Sequence, residues 1–334
     1  MKKETNNEKI DFVIIWVDGN DPKWQKEKAK YSPNKNTDSR NIRYRDWENL
    51  KYWFRGVEKF APWVNKIYFV TCGHYPEWLN KDNPKLVCVQ HSDYMPKEYL
   101  PTFSANPIEL NLHRIKGLSE QFVYFNDDMF ICKKVKKEDF FKNKKPCDMA
   151  VFNPITGVDE TFVSLEQNVN LIINRHFKKN SIVKKNLNKY LNIRYGKYNM
   201  RTFFCLPFSR IQGFYEAHSC NPFLKSTFNE VWDKEFETLD ETSKRKFRST
   251  QDVNQYIFKY WQFCKGNFKP KYNKRKSIRI FDNLDKACNI IKKRKYQIVC
   301  LNDSNSSEEE FNIAKKKIIE CLERILPEKS SFEK

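Results

Sequence analysis

Four short apolar runs in the first 130 residues restrict the fold of this chain more than any other feature. They are rich in β-branched and aromatic residues and lie at positions 11–17, 67–71, 85–90 and 122–125. Such continuous runs are typical of strands that are covered on both faces. One helical pattern follows the first run and another precedes the fourth. The order strand, helix, strand, strand, helix, strand predicts an α/β sheet flanked by helices.

Capping signals indicate where the two helices begin and end. Asp46 is predicted to cap the first helix, and Pro62 is predicted to end it. Ser104 is the predicted N-cap of the second helix, with Pro107 in its first turn. The apolar stripe of this second helix extends to Ile115, so the helix leads directly into the fourth strand.

Acidic side chains are clustered just beyond the first and fourth strands. Asp18 and Asp21 follow the first strand, and Asn126, Asp127 and Asp128 follow the fourth. Ligands of α/β sheets bind at the carboxyl ends of the strands, so both clusters are expected at one edge. Adjacent carboxylates repel each other and are usually held by a cation or by cationic side chains. The pattern indicates a site for a metal-bound diphosphate, with an ordinary Asp-rich turn as the alternative.

Three further residues are candidates for contact with a phosphate-bearing ligand. Gly19 would let the backbone approach a ligand closely or adopt a positive φ. Arg43 and Arg114 could each clamp a phosphate through two hydrogen bonds, although a solvated or ion-paired role is commoner for any single arginine. The glycine-rich motifs of dinucleotide-binding folds and P-loops do not occur, which argues against both classes of enzyme.

The second half of the chain supplies two more candidates. His218 is a lone histidine before a proline turn, and it could act as a general base or have a structural role. Ser249 or Thr250 is predicted to cap a helix that has Asp252 in its first turn. Arg248 lies just before that predicted N-terminus and would complete an anion site there.

The net charge of +20 is concentrated in two segments. Residues 170–201 hold nine Lys and Arg and no acidic residue, and residues 265–295 hold twelve Lys and Arg with two Asp. Unless they are simply solvated, these segments should face an anionic membrane or a phosphate-bearing polymer. A nucleic-acid-binding protein is a remote alternative, because neither segment has a recognisable motif or regularly spaced stacking aromatics.

The N-terminus and the cysteines bear on the compartment. No apolar run approaches the roughly 20 residues needed to span a bilayer, and the polar N-terminus does not resemble a signal peptide. We therefore expect a cytoplasmic location, to which the basic segments could add peripheral contact with the inner face of the cell membrane. The ten cysteines have neither Cys-x-x-Cys nor zinc-site spacing and are expected to be reduced core residues.

The remaining sequence predicts a mainly helical, basic C-terminal half. Residues 131–165 look irregular, 166–200 are predicted to be helical, 223–262 to form two helices, and 297–301 to form a short strand before a terminal amphipathic helix. The predicted parts are a polar tail at 1–10, an α/β core at 11–150, a basic and partly helical insert at 151–212, and a helical part at 213–334 that completes the site.

Four segments, taken together, resemble the Stealth family of phosphotransferases. The family comprises bacterial capsular polysaccharide phosphotransferases and the catalytic subunit of eukaryotic N-acetylglucosamine-1-phosphotransferase. The first segment reads DFVIIWVDGNDPKW from residue 11, and the second contains RDWENL, APWV, PEWLN, LPTFS, HRIKGL and FNDD between residues 43 and 130. The third extends from His218 to about Phe263, and the fourth reads VCLND from Val299.

The resemblance implies a GT-A-like sheet and an enzyme that transfers hexose 1-phosphate. The expected donor is a UDP-hexose or UDP-N-acetylhexosamine, and the expected acceptor is a sugar hydroxyl on a growing surface polysaccharide or a lipid-linked oligosaccharide. A phosphodiester would form and UMP would leave. The alternative is a metal-dependent GT-A glycosyltransferase, which would break the anomeric bond and release UDP.

The resemblance also implies roles for individual residues. The expected catalytic residues are Asn126, Asp127, His218 and Arg248, and the general base stays open between His218 and Asp127. The expected ligands of Mg²⁺ or Mn²⁺ are Asp127, Asp128 and Asp303. The expected donor-binding residues are Asp18, Gly19, Asp21, Arg43, Arg114 and Asn302.

Overall fold

A computed structural model describes residues 8–31, 44–272 and 274–334, together with the backbone of 37–38. Most of the predicted polar tail and the candidate Arg43 lie outside the described residues. Within the described residues, no helix is both long enough and apolar enough to cross a membrane.

Over the first 130 residues the described chain contains both strands and helices. After residue 160 it is mainly helical. The strands are β1 (Ile10–Ile15), β2 (Thr37–Asp38), β3 (Ile67–Thr71), β4 (Leu86–Gln90), β5 (Gln121–Phe125), β6 (Met129–Ile131), β7 (Phe141–Lys142), β8 (Lys145–Asp148), β9 (Asn221–Leu224), β10 (Arg248–Ser249), β11 (Lys269–Pro270), β12 (Arg275–Arg279) and β13 (Ile298–Asn302). The helices are α1 (Pro22–Lys30), α2 (Leu50–Phe60), α3 (Ala105–Leu110), α4 (Glu160–His176), α5 (Lys179–Tyr190), α6 (Asn199–Cys205), α7 (Lys225–Lys234), α8 (Phe236–Lys244), α9 (Tyr256–Cys264), α10 (Leu284–Lys292) and α11 (Glu308–Ile325).

The central sheet has five strands in the order β4-β3-β1-β5-β9. The four predicted apolar runs form β1, β3, β4 and β5, which are mutually parallel, and β9 adds an antiparallel edge beside β5. The predicted α/β sheet is therefore confirmed. Because β1 and β5 are adjacent and parallel, the segments that follow them leave the sheet side by side at its carboxyl edge.

Both faces of the central strands are buried, which explains why their sequences are apolar without alternation. On β1, Phe12 and Ile14 pack into one core with α2, α10 and α11, while Val13 packs into the opposite core with α3, α4, α7 and α9. On β5, Phe125 belongs to the first core and Tyr124 to the second. The ten cysteines are all free, and eight are buried.

A second sheet, ordered β12-β13-β6, brings the C-terminal part of the chain to the same edge. β13 pairs antiparallel with β6, and the Leu301 N–H donates to the Asp128 carbonyl at 2.8 Å. The predicted strand at 297–301 is thereby confirmed. It places the residues after Leu301 next to the turn that follows β5.

Several predicted helix boundaries are wrong. α2 begins at Leu50 with Asn49 in the capping position, so Asp46 is not the N-cap, although the helix ends before Pro62 as predicted. Ser104 caps α3 as predicted, but α3 ends at Leu110 and a 3₁₀ turn replaces its continuation. The apolar stripe continued because that turn also buries its apolar side chains.

The second half differs from the prediction in three places. Residues 131–165 contain β7, β8 and the start of α4, and residues 223–262 contain three helices instead of two. The last of these, α9, begins at Tyr256, so neither Ser249 nor Thr250 caps it. Asp252 instead accepts a hydrogen bond from the Ser249 N–H at 3.0 Å, which closes a turn before the helix.

Candidate active site

A cavity of about 650 Å³ lies at the carboxyl edge of the central sheet. Its walls are formed by the ends of β1, β5 and β13, by the segments 44–50 and 102–109, and by the first turns of α4 and α9. Seven of the sequence-predicted site residues line the cavity together: Asn126, Asp127, Asp128, His218, Arg248, Asn302 and Asp303. These residues span more than half of the chain, and the sheet topology brings them together.

The turn after β5 presents a pair of carboxylates to this cavity. Asp127 faces solvent in the cavity, but the protein around it disfavours its charged form. This desolvation, together with the negative charge of Asp128, raises the pKa of Asp127 to about 7. Asp128 accepts from the Cys300 thiol at 3.1 Å through Oδ2. Its Oδ1 atom is buried and has no hydrogen-bond partner among the described residues. A buried carboxylate oxygen of this kind is suited to binding a cation.

His218 approaches Asp128 from the loop before β9. Its Nε2 atom lies 3.8 Å from Asp128 Oδ2, and its φ of 41° is in the left-handed region that histidine rarely adopts. Burial acts to lower the pKa of His218, but the negative charge of Asp128 nearby outweighs burial, so the pKa is raised. Antiparallel pairing of β9 with β5 fixes this approach, because it places the loop before β9 beside the turn after β5.

Arg248 reaches the cavity from β10, whose backbone pairs with β2. Its charge contributes to lowering the pKa of Glu109, a buried carboxyl on α3. Burial nevertheless dominates, and the pKa of Glu109 is raised to about 7. The cavity therefore contains a guanidinium together with two carboxyl groups, those of Asp127 and Glu109, whose pKa values are raised to about 7.

A hydrogen-bond chain connects Glu109 with Asn126. The buried Tyr124 hydroxyl lies 2.8 Å from Glu109 Oε1 and 2.5 Å from Asn126 Oδ1. A hydroxyl donates only one hydrogen, so a protonated Glu109 that donates to Tyr124 would let Tyr124 donate to Asn126. Donation by Tyr124 would hold the Oδ1 atom of Asn126, and we expect the amide nitrogen to face the cavity that Asn126 lines.

Asp303 has a different environment from the Asp127–Asp128 pair. Arg45 donates to both of its carboxylate oxygens, at 2.7 Å and 3.1 Å, and the Trp47 indole donates at 3.2 Å. The predicted role of Asp303 as a metal ligand is therefore disfavoured, because its oxygens already serve an ion pair. The neighbouring Asn302 lines the cavity and donates to the Ser277 hydroxyl at 2.6 Å.

The acidic turn after β1 lies beside the cavity and not in its lining. Asp18 donates its backbone N–H to His74 at 2.7 Å, and Asp21 caps α1 by accepting from the Trp24 N–H at 2.7 Å. A Cβ atom on Gly19 would lie 2.0 Å from the Tyr44 carbonyl oxygen. Gly19 is thus required by a close backbone contact within the protein and does not have a positive φ, whereas its approach to a ligand stays a prediction.

Arg114 does not reach the cavity. It lies in the 3₁₀ turn after α3, where its guanidinium stacks over the Trp232 ring at 4.7 Å and donates to Asn111 at 2.9 Å. The predicted phosphate clamp at Arg114 is therefore not part of this cavity, because the residue lies at the far end of the helical segment whose first residues line the cavity.

One group of side chains in the described residues could share a metal ion. The ligand atoms of Asp128, His218 and Cys300 all lie within 4.8 Å of one another. Cys300 is buried in β13, and burial followed by the charge of Asp128 raises its thiol pKa well above the usual value. A protonated thiol is a poor ligand for Mg²⁺ or Mn²⁺, which prefer oxygen, so the two adjacent aspartates fit such an ion better.

The sequence interpretation missed Glu109, Tyr124 and Cys300. Glu109 alone had a local signal, since it is an acidic residue within the apolar stripe of α3. Tyr124 and Cys300 lie in apolar strand sequences that do not mark them as site residues. Their roles follow from contacts that the fold creates, with Glu109 for Tyr124 and with Asp128 for Cys300.

Comparison with known proteins identifies relatives along the whole chain. Residues 8–36 match conserved region 1 of the Stealth proteins, and residues 43–149 match conserved region 2. The capsular polysaccharide phosphotransferase WcwK of Streptococcus pneumoniae is 44% identical, covering 98% of this chain and 99% of the relative. The receptor polysaccharide phosphotransferase WefC of Streptococcus gordonii is 42% identical, with the same coverage of both chains.

Two more distant similarities were found. The exopolysaccharide phosphotransferase cps2G of Lactiplantibacillus plantarum is 38% identical, covering 97% of this chain and 96% of the relative. Among solved structures, the galactosyltransferase LgtC matches with a TM-score of 0.41 and 9% identity, covering 92% of this chain and 95% of that chain.

Proposed function

The chain belongs to the Stealth family of polysaccharide phosphotransferases, and on that premise we propose that it transfers hexose 1-phosphate from a UDP-hexose or UDP-N-acetylhexosamine to a sugar hydroxyl of a growing surface polysaccharide. The acceptor is either the polysaccharide or a lipid-linked oligosaccharide. The products are a phosphodiester and UMP.

The observation that carries this proposal is the convergence of opposite charges in one cavity. The Asn126–Asp128 turn, His218 and Arg248 come from three separate parts of the chain and line the same space. Transfer at phosphorus develops charge on the phosphoryl oxygens and requires a proton acceptor for the attacking hydroxyl. The cavity contains a guanidinium for the first requirement and two candidate bases for the second.

The bond changes follow from this assignment. The acceptor oxygen attacks the phosphorus that bears the hexose, and the bond from that phosphorus to the oxygen shared with the other phosphate breaks. That oxygen leaves with UMP, and the sugar retains its anomeric bond. The hydroxyl proton passes to His218 or Asp127, while Arg248 and the Asn126 amide stabilise the phosphoryl oxygens.

We assign the binding of Mg²⁺ or Mn²⁺ to Asp128 and Asp127. The unpartnered buried Oδ1 atom of Asp128 and the mutual repulsion of the two carboxylates fit a divalent ion. Such an ion would supply positive charge to the diphosphate of the donor. His218 then remains available for proton transfer, and Asn302 is the remaining cavity-lining candidate for donor contact.

Identification of the leaving nucleotide tests the proposal. Incubation of the purified chain with a panel of UDP-hexoses, a divalent ion and an acceptor glycan should release UMP and add a hexose phosphate to the acceptor. Mass spectrometry distinguishes this product from one that gains only a hexose. Release of UDP with addition of hexose alone would establish the glycosyltransferase alternative instead.

The Glu109–Tyr124–Asn126 chain leads to a prediction about orientation of the site. Tyr124→Phe should lower kcat by about fivefold, because one lost hydrogen bond of this kind is worth about 1 kcal/mol and leaves the Asn126 amide free to rotate. Steady-state kinetics and thermal denaturation would be measured together. Tyr190→Phe is the matched control, since the buried Tyr190 hydroxyl donates to the Phe263 carbonyl at 2.7 Å outside the cavity.

Both tyrosine variants should lose similar stability, but only Tyr124→Phe should lose turnover. If kcat is equal for the two variants, the Glu109–Tyr124–Asn126 hydrogen-bond chain has only a structural role.

A further inference from the structure

The segment around α6 exposes large apolar side chains that a folded protein normally covers. The exposed fractions are 94% for Ile193, 54% for Met200, 58% for Phe203, 66% for Phe204 and 57% for Phe208. Contiguous apolar surface of this kind marks an interaction site. We propose that these five residues, here called the α6 face, dock the enzyme on an anionic lipid surface.

The geometry of α6 makes these side chains one surface. Met200, Phe203 and Phe204 are spaced i, i+3 and i+4, which places them on one side of the helix. The rings of Phe203 and Phe204 are 5.9 Å apart. The other side is anchored in the protein, where Thr202 is buried and accepts from the Phe152 N–H at 3.1 Å. The apolar side is therefore held outward by the fold.

Charge identifies the occupant of this surface. Between Glu166 and Glu216 the chain has ten Lys and Arg and no acidic residue. Arg194, Lys197 and Arg210 are exposed and lie within or beside the α6 face. A helix with aromatic residues on one side and basic residues around it is typical of proteins that lie in the interface of an anionic membrane.

Two other occupants fit less well. A second copy of the chain would bring the same basic segment against itself, and like charges in an interface oppose association. A soluble polyanion would account for the basic residues but not for the exposed aliphatic side chains of Ile193 and Met200. A lipid surface accounts for both, because it offers anionic headgroups above an apolar layer.

The α6 face is connected to the catalytic cavity through α4. The first turns of α4 line the cavity through Phe162 and Leu165. Near its other end, Asn170 and Asn174 donate to the Ile211 carbonyl at 2.9 Å and 2.8 Å, which fixes the segment just after Phe208. Docking would thus hold the cavity near acceptors carried by membrane lipids. That consequence depends on the proposed function, whereas lipid binding itself does not.

Vesicle co-sedimentation tests the inference with the full chain. Vesicles of phosphatidylcholine alone are compared with vesicles of phosphatidylcholine and phosphatidylglycerol in equal amounts, each at low and high salt. The wild type should bind the anionic vesicles and lose binding as salt rises. The double variant Phe203→Ser/Phe204→Ser should weaken binding by about tenfold or more, because two aromatic rings no longer enter the lipid interface.

Phe236→Ser/Ile313→Ser is the matched control, because both residues are about half exposed but lie on α8 and α11. It should bind vesicles as the wild type does. The inference is overturned if the two double variants bind vesicles equally well, or if the wild type binds neither type of vesicle. Sedimentation velocity tests the alternative of a second copy. If the wild type is a dimer and Phe203→Ser/Phe204→Ser is a monomer, the α6 face binds a second copy of the chain instead. UMP release from the donor in the presence of a soluble acceptor should be the same in all variants, which separates this test from that of the proposed function.

Discussion

Asp128→Asn is expected to lower kcat/KM by about 10³-fold, the scale found when one preorganised electrostatic contact to the reacting groups is lost. The change keeps the size of the side chain but removes the charge that the buried Oδ1 atom would offer to a divalent ion. It should also weaken the apparent affinity for Mg²⁺ or Mn²⁺. Steady-state kinetics over a range of metal concentrations, with Mn²⁺ binding followed by electron paramagnetic resonance, would measure both effects.

Asp303→Asn provides the control for Asp128→Asn. It makes the same chemical change in the same cavity, but Asp303 is paired with Arg45 at 2.7 Å. This variant should keep its metal affinity and lose stability, because Arg45 loses the charged partner that holds it. If Asp303→Asn lowers metal affinity and Asp128→Asn does not, the metal assignment proposed here is wrong and Asp303 is a ligand.

Four of the five strands of the central sheet could be predicted because a largely buried strand leaves a direct trace in the sequence, whereas β9 was not predicted. β1, β3, β4 and β5 each have a continuous apolar run. β12 reads RKSIR and has no such run, because it is an edge strand with exposed basic residues. Strand pairing at an edge depends on backbone hydrogen bonds with a distant partner, and local composition does not reveal them.

Site residues, like strands, could be predicted where the signal lies in neighbouring residues. They could not be predicted where their role depends on residues distant in the chain. The Asp127–Asp128 pair is adjacent in sequence and was predicted from residue type and strand end alone. His218 lies 3.8 Å from Asp128, yet no local pattern connects two residues so far apart in the chain, and the family resemblance supplied the connection. Gly19 and Asp21 had residue types suited to ligand binding, but their side of the turn serves contacts within the protein.

The positive charge of an arginine also did not indicate whether that residue lies in the cavity. Arg114 was a candidate by residue type, whereas Arg45 was not selected although it lines the cavity. Arg114 lies at the far end of the helical segment whose first residues line the cavity, whereas Arg45 pairs with a carboxylate that is distant in sequence. An arginine is placed by the fold around it, so its role could not be assigned from the sequence alone.

His218→Asn is expected to lower kcat by about 10²–10⁴-fold, which is the usual contribution of a positioned general base. Asparagine is the appropriate replacement, because the φ of 41° at this position is tolerated by asparagine and strains most other residues. The loss can therefore be attributed to the imidazole and not to the backbone. UMP release under saturating donor and acceptor would give kcat, and the KM of the donor should change little.

Two comparisons decide between His218 and Asp127 as the base. His113→Asn controls for loss of a buried imidazole, because His113 packs against Phe228 and Trp232 outside the cavity and its removal should affect stability alone. Asp127→Asn removes the rival base while keeping the shape of the turn. A kcat for His218→Asn within about tenfold of the wild type, together with a large loss for Asp127→Asn, would transfer the role of base to Asp127. His218, with its raised pKa, would then act as a cation beside the phosphoryl group.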